Sequence, residues 1–188
     1  MGAPPNWFIA WPIDAMALAP SLREGLPAGL RRVAEADLHI TLAFLGAVGA
    51  EHADRAWRRA LTLPCPVFRV EPLRLAALGN PRRPSAYGMV LDDDAGRLTA
   101  FIGEHRDALR AAAGVEPESR PALPHLTLAR PPRSAGPAIR QRASAWLERT
   151  DIPAITLQLD RFVLYTRAPD QRASRFLRVA ERVSPEAE

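Results

Sequence analysis

The chain has 188 residues, of which 47% are hydrophobic and 24% charged, with a formal net charge of +4. This composition is typical of a globular protein. No apolar run approaches the roughly 20 residues of a membrane span, and the single Cys65 excludes an internal disulfide. All 25 basic residues are arginines, which bind phosphate groups well but do not by themselves identify an anionic substrate. Because the chain has no long apolar run and one cysteine, we expect a soluble, cytoplasmic protein with no membrane partner.

Apolar runs, divided by proline and glycine, predict strands and helices in mixed order. The predicted strands are Trp7–Trp11, Leu38–Leu45, Val67–Leu78, Ala86–Leu91, Leu123–Arg130, Ile155–Tyr165 and Ser174–Arg182. The predicted helices are Ala50–Leu61, Gly96–Ala113, Ala138–Arg149 and a segment from Asp14 to about Arg32 that Pro20 and Pro27 are expected to break or bound. Residues 79–84 predict a turn, and the aspartates at 92–94 predict a helix cap. Several strands follow one another directly, which favours antiparallel pairing and the α+β class over a doubly wound parallel sheet.

One short segment occurs twice in the chain. Residues 38–43 read LHITLA, and residues 124–129 read PHLTLA. Similar strand and helix patterns precede each copy, so we infer that the chain is a duplicated half with one copy of the motif in each half. The expected organisation is a single domain, residues 1–188, made of two related halves.

Alternation along a strand determines what each copy of the motif presents. Side chains of successive residues point to opposite faces, so His39 and Thr41 share one face and the neighbouring aliphatic residues share the other. The same holds for His125 and Thr127. If a pseudo-twofold axis relates the halves, both His-Thr pairs face one cleft and surround one small ligand.

This set of side chains suits phosphodiester chemistry. A neutral imidazole can take a proton from water while a protonated one gives a proton to the leaving oxygen, and histidine suits both roles near neutral pH. The hydroxyls of Thr41 and Thr127 can donate hydrogen bonds to non-bridging phosphate oxygens. Arg130 could add a charged donor, although strict alternation puts it on the leucine face and requires it to reach around the strand end. Neither motif contains a metal-ligand set, so no metal or other cofactor is expected.

A less specific interpretation is that the motifs are two buried strands whose histidines only satisfy hydrogen bonds in the core. The repetition of both residues, in the same register and context, makes that interpretation the weaker one. Phe44 has similar alternatives, since it can stack on a base, whereas an aromatic residue in an apolar strand more commonly packs in the core.

The two motifs resemble the paired signatures of the 2H phosphoesterase superfamily. The likeness rests on residues 37–46, DLHITLAFLG, and residues 124–130, PHLTLAR. Within the superfamily, the chain looks closest to the RNA 2′,3′-cyclic phosphodiesterases, historically named 2′-5′ RNA ligases. The resemblance implies a bilobal α+β fold in which two antiparallel sheets line a central cleft, with helices outside.

The resemblance also implies an activity and roles for the site residues. It implies metal-independent hydrolysis of RNA 2′,3′-cyclic phosphate ends to 2′-phosphates, with reverse 2′-5′ ligation on special substrates. His125 would activate water, and His39 would protonate the leaving oxygen. Thr41, Thr127 and Arg130 would hold the phosphate. The expected partner is RNA with a cyclic phosphate end, or a cyclic nucleotide, bound by a monomer.

Two alternatives remain open from the sequence. The chain could be a 2H phosphodiesterase for 2′-5′ oligonucleotides or another cyclic nucleotide. It could instead be a nucleotide- or RNA-binding module without catalysis, although such a module would not need two proton carriers. A turnover assay separates the enzyme from the binding module.

Overall fold

The computed structural model describes residues 4–18, 22, 25–93, 95–152, 154–170 and 173–187. Its strands are β1 (Asn6–Pro12), β2 (Arg31–Arg32), β3 (His39–Ala47), β4 (Phe68–Asn80), β5 (Arg83–Asp92), β6 (His125–Arg130), β7 (Leu157–Leu159), β8 (Arg161–Arg167) and β9 (Phe176–Val183). Its α-helices are α1 (Ala50–Leu61), α2 (Arg97–Ala112) and α3 (Pro137–Arg149). Short 3-10 turns occupy Ala15–Ala17 and Glu35–Asp37.

The strands form one large antiparallel sheet, and the predicted α+β class is confirmed. The hydrogen-bonded order is β7-β4-β5-β6-β3-β1-β8-β9, and β2 pairs with the free part of β6. The two expected sheets are therefore two groups of strands within one sheet, β7-β4-β5-β6 with β2 and β3-β1-β8-β9, and they meet where β6 pairs with β3. The pairing between β3 and β6 is short, because Ile40 and Leu126 are the one pair of described residues in register across it.

The register repeats on the two sides of this junction. β1 pairs with β3 through Pro12 with His39, Trp11 with Ile40, and Ala10 with Thr41. β5 pairs with β6 through Val90 with His125, Met89 with Leu126, and Gly88 with Thr127. β1 and β5 therefore pair with the two motif strands in equivalent registers, which is the arrangement that a duplicated half would produce.

The helices pack on one face of the sheet, and the opposite face is left for the site. The main core joins buried side chains of all three helices, such as Trp57, Leu98 and Trp146, to Ile40 and Leu126 at the centre of the sheet. On the other face, the main buried cluster comprises Phe8, Ala10, Val163 and Tyr165. None of the helices in the described ranges is long and apolar enough to cross a membrane.

The segment from Asp14 to Arg32 is not one continuous helix, as its two prolines lead one to expect, and Leu22 is its one described residue with α-helical backbone. Only Ala15–Ala17 forms a 3-10 turn, and Arg31–Arg32 forms β2 against β6. Pro27 and Gly29, which has a φ of 92°, account for the irregular backbone between them. Residues 19–21 and 23–24 of the predicted helix lie outside the described residues.

The boundaries near residues 79–96 also differ from the prediction. β4 and β5 continue through most of the predicted turn, which is reduced to residues 81–82 because Asn80 pairs with Arg83. The predicted cap is confirmed at Asp93, whose carboxylate accepts hydrogen bonds from the N–H groups of Gly96 (3.1 Å) and Thr99 (2.8 Å). Asp94 lies outside the described residues.

Candidate active site

The two histidines lie on adjacent antiparallel strands, on the face opposite the helices. Ile40 and Leu126, the residues that follow the histidines, are paired and fully buried. Alternation then turns His39 and His125 to the open face, where both are half-buried. Thr41 and Thr127 are half-buried on the same face.

Each imidazole is held by an equivalent hydrogen bond to a backbone carbonyl. Nδ1 of His39 donates to the carbonyl oxygen of Asp37 at 2.6 Å, and Nδ1 of His125 donates to that of Leu123 at 2.8 Å. Each partner lies two residues before its histidine. Since a carbonyl oxygen can only accept, Nδ1 carries the proton in the neutral ring, and Nε2 is left as the basic nitrogen. The site therefore holds two imidazoles in the same tautomer.

Burial makes both imidazoles weak bases in the free protein. Desolvation lowers the pKa of His39 to about 4, with smaller contributions from the positive charge of Arg130 and from His125, against the opposing effect of the Asp37 carbonyl. Desolvation also lowers the pKa of His125, and Arg130 adds to that effect. A bound phosphate would offset the charge of Arg130 and raise both pKa values.

Aromatic rings cause much of the desolvation at His39. The centroid of the His39 ring lies 4.7 Å from that of Phe8, 5.7 Å from Phe176 and 5.9 Å from Tyr165. Phe8 also stacks on Tyr165 at 4.9 Å, so the rings form one continuous wall. This wall fixes the orientation of the imidazole and keeps water from one side of it.

A β-bulge places Arg130 on the site face, which corrects the expectation that it must reach around the strand end. Thr127 pairs with Gly88, and Ala129 pairs with the preceding residue Tyr87, so β6 contains one residue more than β5 at this point. Leu128 and Ala129 are consequently buried in succession, and the alternation shifts by one residue. Arg130 therefore shares a face with His125 and Thr127.

The first motif contains an equivalent bulge, and it has the same effect on Phe44. Thr41 pairs with Ala10 and Ala43 with Ile9, so β3 contains one extra residue. Leu42 and Ala43 are both buried, and Phe44 then returns to the site face with 49% of its surface exposed. Phe44 and Arg130 thus occupy matching positions in the two halves.

Two adjoining cavities open on this face. The smaller, ≈ 380 Å³, is lined by Arg31, Arg32, Val33, Ala34, Asp37, His39, Thr127, Arg130, Ala173, Ser174, Arg175 and Phe176. The larger, ≈ 550 Å³, contains Thr41 and Phe44 and shares His39 and Arg130 with the first. His125 lines neither cavity, although its charge affects the pKa of His39. The cavities therefore bring together His39, Thr41, Phe44, Thr127 and Arg130 but not His125.

The guanidinium of Arg130 forms the cationic centre of the site. Its Nη1 donates to the carbonyl oxygen of Ser85 at 3.5 Å. Burial lowers the pKa of Arg130, and the nearby charges of Arg175 and Arg31 lower it further. Three guanidinium groups this close together repel one another, so the site favours an anion that neutralises them.

Comparison with known proteins supports the assignment of the fold and family. The model of the LigT-like phosphoesterase family matches residues 13–86 and 91–173, which is most of the chain. The chain belongs to this family. The resemblance of its two motifs to the 2H phosphoesterases is thereby confirmed.

Known proteins that are similar to this LigT-like phosphoesterase include one by sequence and two by structure. An RNA 2′,3′-cyclic phosphodiesterase of Aeropyrum pernix is 31% identical over 106 residues, which cover 56% of this chain and 58% of the relative. The structure of E. coli LigT complexed with 3′-AMP superposes with a TM-score of 0.67 at 23% identity, over 97% of this chain and 99% of that one. The protein TT0787 of Thermus thermophilus gives 0.63 at 18% identity, over 95% and 97%. At these identities the two structures show the shared fold.

Sequence reasoning missed the residues that enclose the LigT-like site from the far end of the chain. The carboxylate of Asp37 is buried, and it accepts hydrogen bonds from the Ser174 hydroxyl (2.6 Å) and from the N–H groups of Arg175 (2.8 Å) and Phe176 (3.2 Å). It thereby holds the start of β9 against the motif strand. An aspartate next to an apolar strand was the only available signal, and its partners are too distant in sequence to be inferred from it.

The chemistry of the described residues offers no evident metal centre. Among them, no group of three or more His, Cys, Asp or Glu side chains lies close enough together to hold a metal ion. The polar groups that face the cavities are mainly imidazoles, hydroxyls and guanidinium groups. These groups can move protons and stabilise a phosphate.

Proposed function

We propose that this protein hydrolyses 2′,3′-cyclic phosphates at RNA ends to 2′-phosphates, with His39 and His125 as the acid–base pair and without a metal ion. The observation that carries the proposal is the matched pair of imidazoles, each held through Nδ1 by a carbonyl two residues earlier, beside Arg130. Similarity to the RNA 2′,3′-cyclic phosphodiesterase of Aeropyrum pernix adds support. Both histidines belong to one chain, so a monomer suffices.

The proposed reaction is a single displacement at phosphorus. Nε2 of His125 takes a proton from water as the water oxygen bonds to phosphorus. The bond from phosphorus to the 3′ oxygen breaks, and Nε2–H of His39 gives its proton to that oxygen, leaving a 2′-phosphate. Hydrogen bonds from Thr41 and Thr127 and the charge of Arg130 stabilise the non-bridging oxygens. If an RNA 5′-hydroxyl replaces water, the same step forms a 2′-5′ bond.

The bound phosphate itself prepares the acid in this scheme. In the free protein, His39 is neutral at pH 7 because its pKa is about 4. The cyclic phosphate carries a negative charge, which offsets Arg130 and favours the protonated imidazole. Binding of the cyclic phosphate and protonation of His39 are therefore coupled. The assignment of His39 as the acid and His125 as the base follows the family resemblance.

The experiment that tests the proposal compares two alanine variants with a matched control. His39→Ala and His125→Ala should each lower kcat on nucleoside 2′,3′-cyclic monophosphates by about 10²- to 10⁴-fold, since each removes one proton-transfer step. His52→Ala should retain turnover, because His52 is exposed on α1 and lies outside both cavities. Circular dichroism checks that all three variants fold. Near-normal turnover by either site variant would contradict the proposal.

A further inference from the structure

The segment that leads into the second motif is held more by hydrogen bonds to its backbone than by packing. Residues 115–124 lie between α2 and β6 without regular secondary structure, and among them, all within the described ranges, Pro124 is the one buried residue. Near its end, the carbonyl oxygen of Leu123 accepts the hydrogen bond from Nδ1 of His125. Whatever holds this segment therefore also determines the orientation of the His125 imidazole.

Side chains on one side of α2 hold the middle of the segment. Nη2 of Arg106 donates to the carbonyl oxygen of Glu118 at 3.1 Å, and the carboxylate of Asp107 accepts from the N–H of the same residue at 3.0 Å. Nε of Arg110 donates to the carbonyl oxygen of Glu116 at 2.7 Å. Arg106 and Arg110 are four residues apart, so both face the segment from the same side of the helix.

The guanidinium of Arg110 also reaches the first motif strand. Its Nη1 donates to the carbonyl oxygen of Phe44 in β3 at 2.5 Å, while its Nε is bound to Glu116. The side chain is half-buried, and its planar group has fixed donor directions. One rigid group thus joins the strand of the first motif to the segment that precedes the second motif.

This bridge matters because the two motif strands share little backbone pairing of their own. In the described chain they are in register at one pair, Ile40 with Leu126. An uninterrupted antiparallel register would place Ala122 opposite Phe44, but the described pairing does not extend that far, and the bulge in β3 lies between. The hydrogen bonds of Arg110 supply a connection that the strand pairing does not.

We propose that Arg110 is a positioning residue, which holds the Leu123 carbonyl, and with it His125, at a fixed place relative to His39. Its side chain lines neither of the two cavities that the described residues form at the site. A misplacement of about 1 Å can lower a reaction rate on the order of 100-fold. The inference rests on the proposed function for the reaction, whereas the bridge and its effect on the His125 ring exist without substrate.

Steady-state kinetics on a nucleoside 2′,3′-cyclic monophosphate tests the role of Arg110. Arg110→Gln shortens the side chain and removes the group that bridges the two carbonyls. We expect kcat to fall by about 10- to 100-fold, since one proton carrier is misplaced. KM should stay within about threefold of the wild type, because the residues proposed to hold the phosphate are separate from Arg110. A normal kcat, or a loss that lies entirely in KM, would overturn the inference.

The matched control is Arg55→Gln, which makes the same change at another arginine. Nε of Arg55 also donates to a backbone carbonyl, that of Ala112 at 3.2 Å, but this bond involves neither β3 nor the segment 115–124. The control should keep both kcat and KM. A loss of kcat as large as that of Arg110→Gln would contradict a specific role for the bridge.

Arg110→Lys separates the bridge from the charge and serves as a second variant if Arg110→Gln does not fold, which circular dichroism checks. It keeps the positive charge but replaces the planar fork with one compact ammonium group. Its kcat should also fall, by at least about fivefold, because an ammonium group does not reproduce the two fixed hydrogen bonds. A wild-type kcat in Arg110→Lys would show that charge alone suffices and would overturn the inference.

NMR of the imidazoles separates failure of this inference from failure of the proposed function. Ring ¹⁵N chemical shifts report which nitrogen carries the proton and need no substrate. In the wild type above neutral pH, both neutral rings should carry it on Nδ1. In Arg110→Gln, His125 should lose part of this tautomer while His39 keeps it, and this result supports the inference even without turnover. An unchanged His125 ring in the folded variant contradicts it whatever the turnover.

Discussion

At the scale of single residues, the environment of His39 differs from that of an exposed histidine in a measurable way. Burial against Phe8, Tyr165 and Phe176 lowers its pKa to about 4, whereas an unfolded chain leaves the imidazole near 6.5. The unfolded state therefore binds more protons than the folded state between about pH 6.5 and pH 4. Stability contributed by neutral His39 is present above this window and is lost as the pH falls through it.

The free energy of unfolding should accordingly fall as the pH is lowered from 7 to 5. One histidine contributes a slope of at most about 1.4 kcal/mol per pH unit. Urea denaturation of the wild type and His39→Gln at pH 7, 6 and 5 measures it, and the variant should show the shallower dependence. His52→Gln, on the exposed face of α1, should behave like the wild type. The same pH dependence in the wild type and His39→Gln would contradict the assigned burial.

Asp37 is the second residue whose surroundings lead to a prediction. Its carboxylate accepts three hydrogen bonds from residues 174–176. Asp37→Asn keeps the shape of the side chain but loses acceptor capacity and charge, so the free energy of unfolding should fall by about 1–3 kcal/mol. The KM for a cyclic phosphate should rise, because the displaced segment carries Arg175. Denaturant titration and steady-state kinetics measure the two effects.

The control for this prediction is Asp151→Asn, which changes an exposed aspartate. It should alter neither stability nor KM. Unchanged stability and KM in Asp37→Asn would show that the segment is held by other contacts.

The sequence alone predicted part of the geometry of the candidate site at this scale. Strand alternation correctly placed His39, Thr41, His125 and Thr127 on one face. It failed for Arg130, because a bulge shifts the alternation and only the pairing of β6 with β5 reveals it. Asp37 was missed for a related reason, since its partners lie more than a hundred residues away.

At the scale of secondary-structure elements, the close approach of β5 and β6 determines the position of the second motif. A Cβ atom on Gly88 would overlap the carbonyl oxygen of Leu126, so the two strands could not remain in place. Gly88 pairs with Thr127 just before the bulge that presents Arg130. The missing side chain therefore allows β5 to support the site strand.

Gly88→Ala should destabilise the protein by about 1–3 kcal/mol, as overpacking in a core does. It should also lower kcat/KM, because β6 must move and carries His125 with it. The control Gly103→Ala lies in α2, where the added Cβ meets no described atom within 4 Å apart from its chain neighbours and the backbone of its own helix, and it should stabilise by about 0.5–1 kcal/mol. Thermal denaturation of both variants checks the opposite signs. Equal stability of Gly88→Ala and the wild type would disprove the close approach.

Predictions of elements succeeded where a pattern was long and regular. The helix at Ala50–Leu61 matches its prediction at both ends, because its apolar positions repeat every three to four residues. The region after Asp14 failed because β2 consists of only two exposed arginines and exists through its pairing with β6. A strand that short carries no periodic signal of its own.

At the scale of the whole molecule, the two groups of strands contribute different side chains to one candidate site. They meet at Ile40 and Leu126, and their equivalent bulges present Phe44 from one half and Arg130 from the other. An exposed aromatic ring and a guanidinium group thus come from matching positions. The repeated motif predicts that both halves share one cleft. It does not predict which side chains follow the two bulges onto the site face, because the strand register determines that.

The measurement that tests the central claim most directly is hydrolysis of an RNA with a 2′,3′-cyclic phosphate end in excess EDTA. Chromatography that resolves 2′- from 3′-phosphates identifies the product. We predict full activity with the chelator and a 2′-phosphate product. Activity that disappears in EDTA and returns with a divalent ion, or a 3′-phosphate product, would contradict the claim.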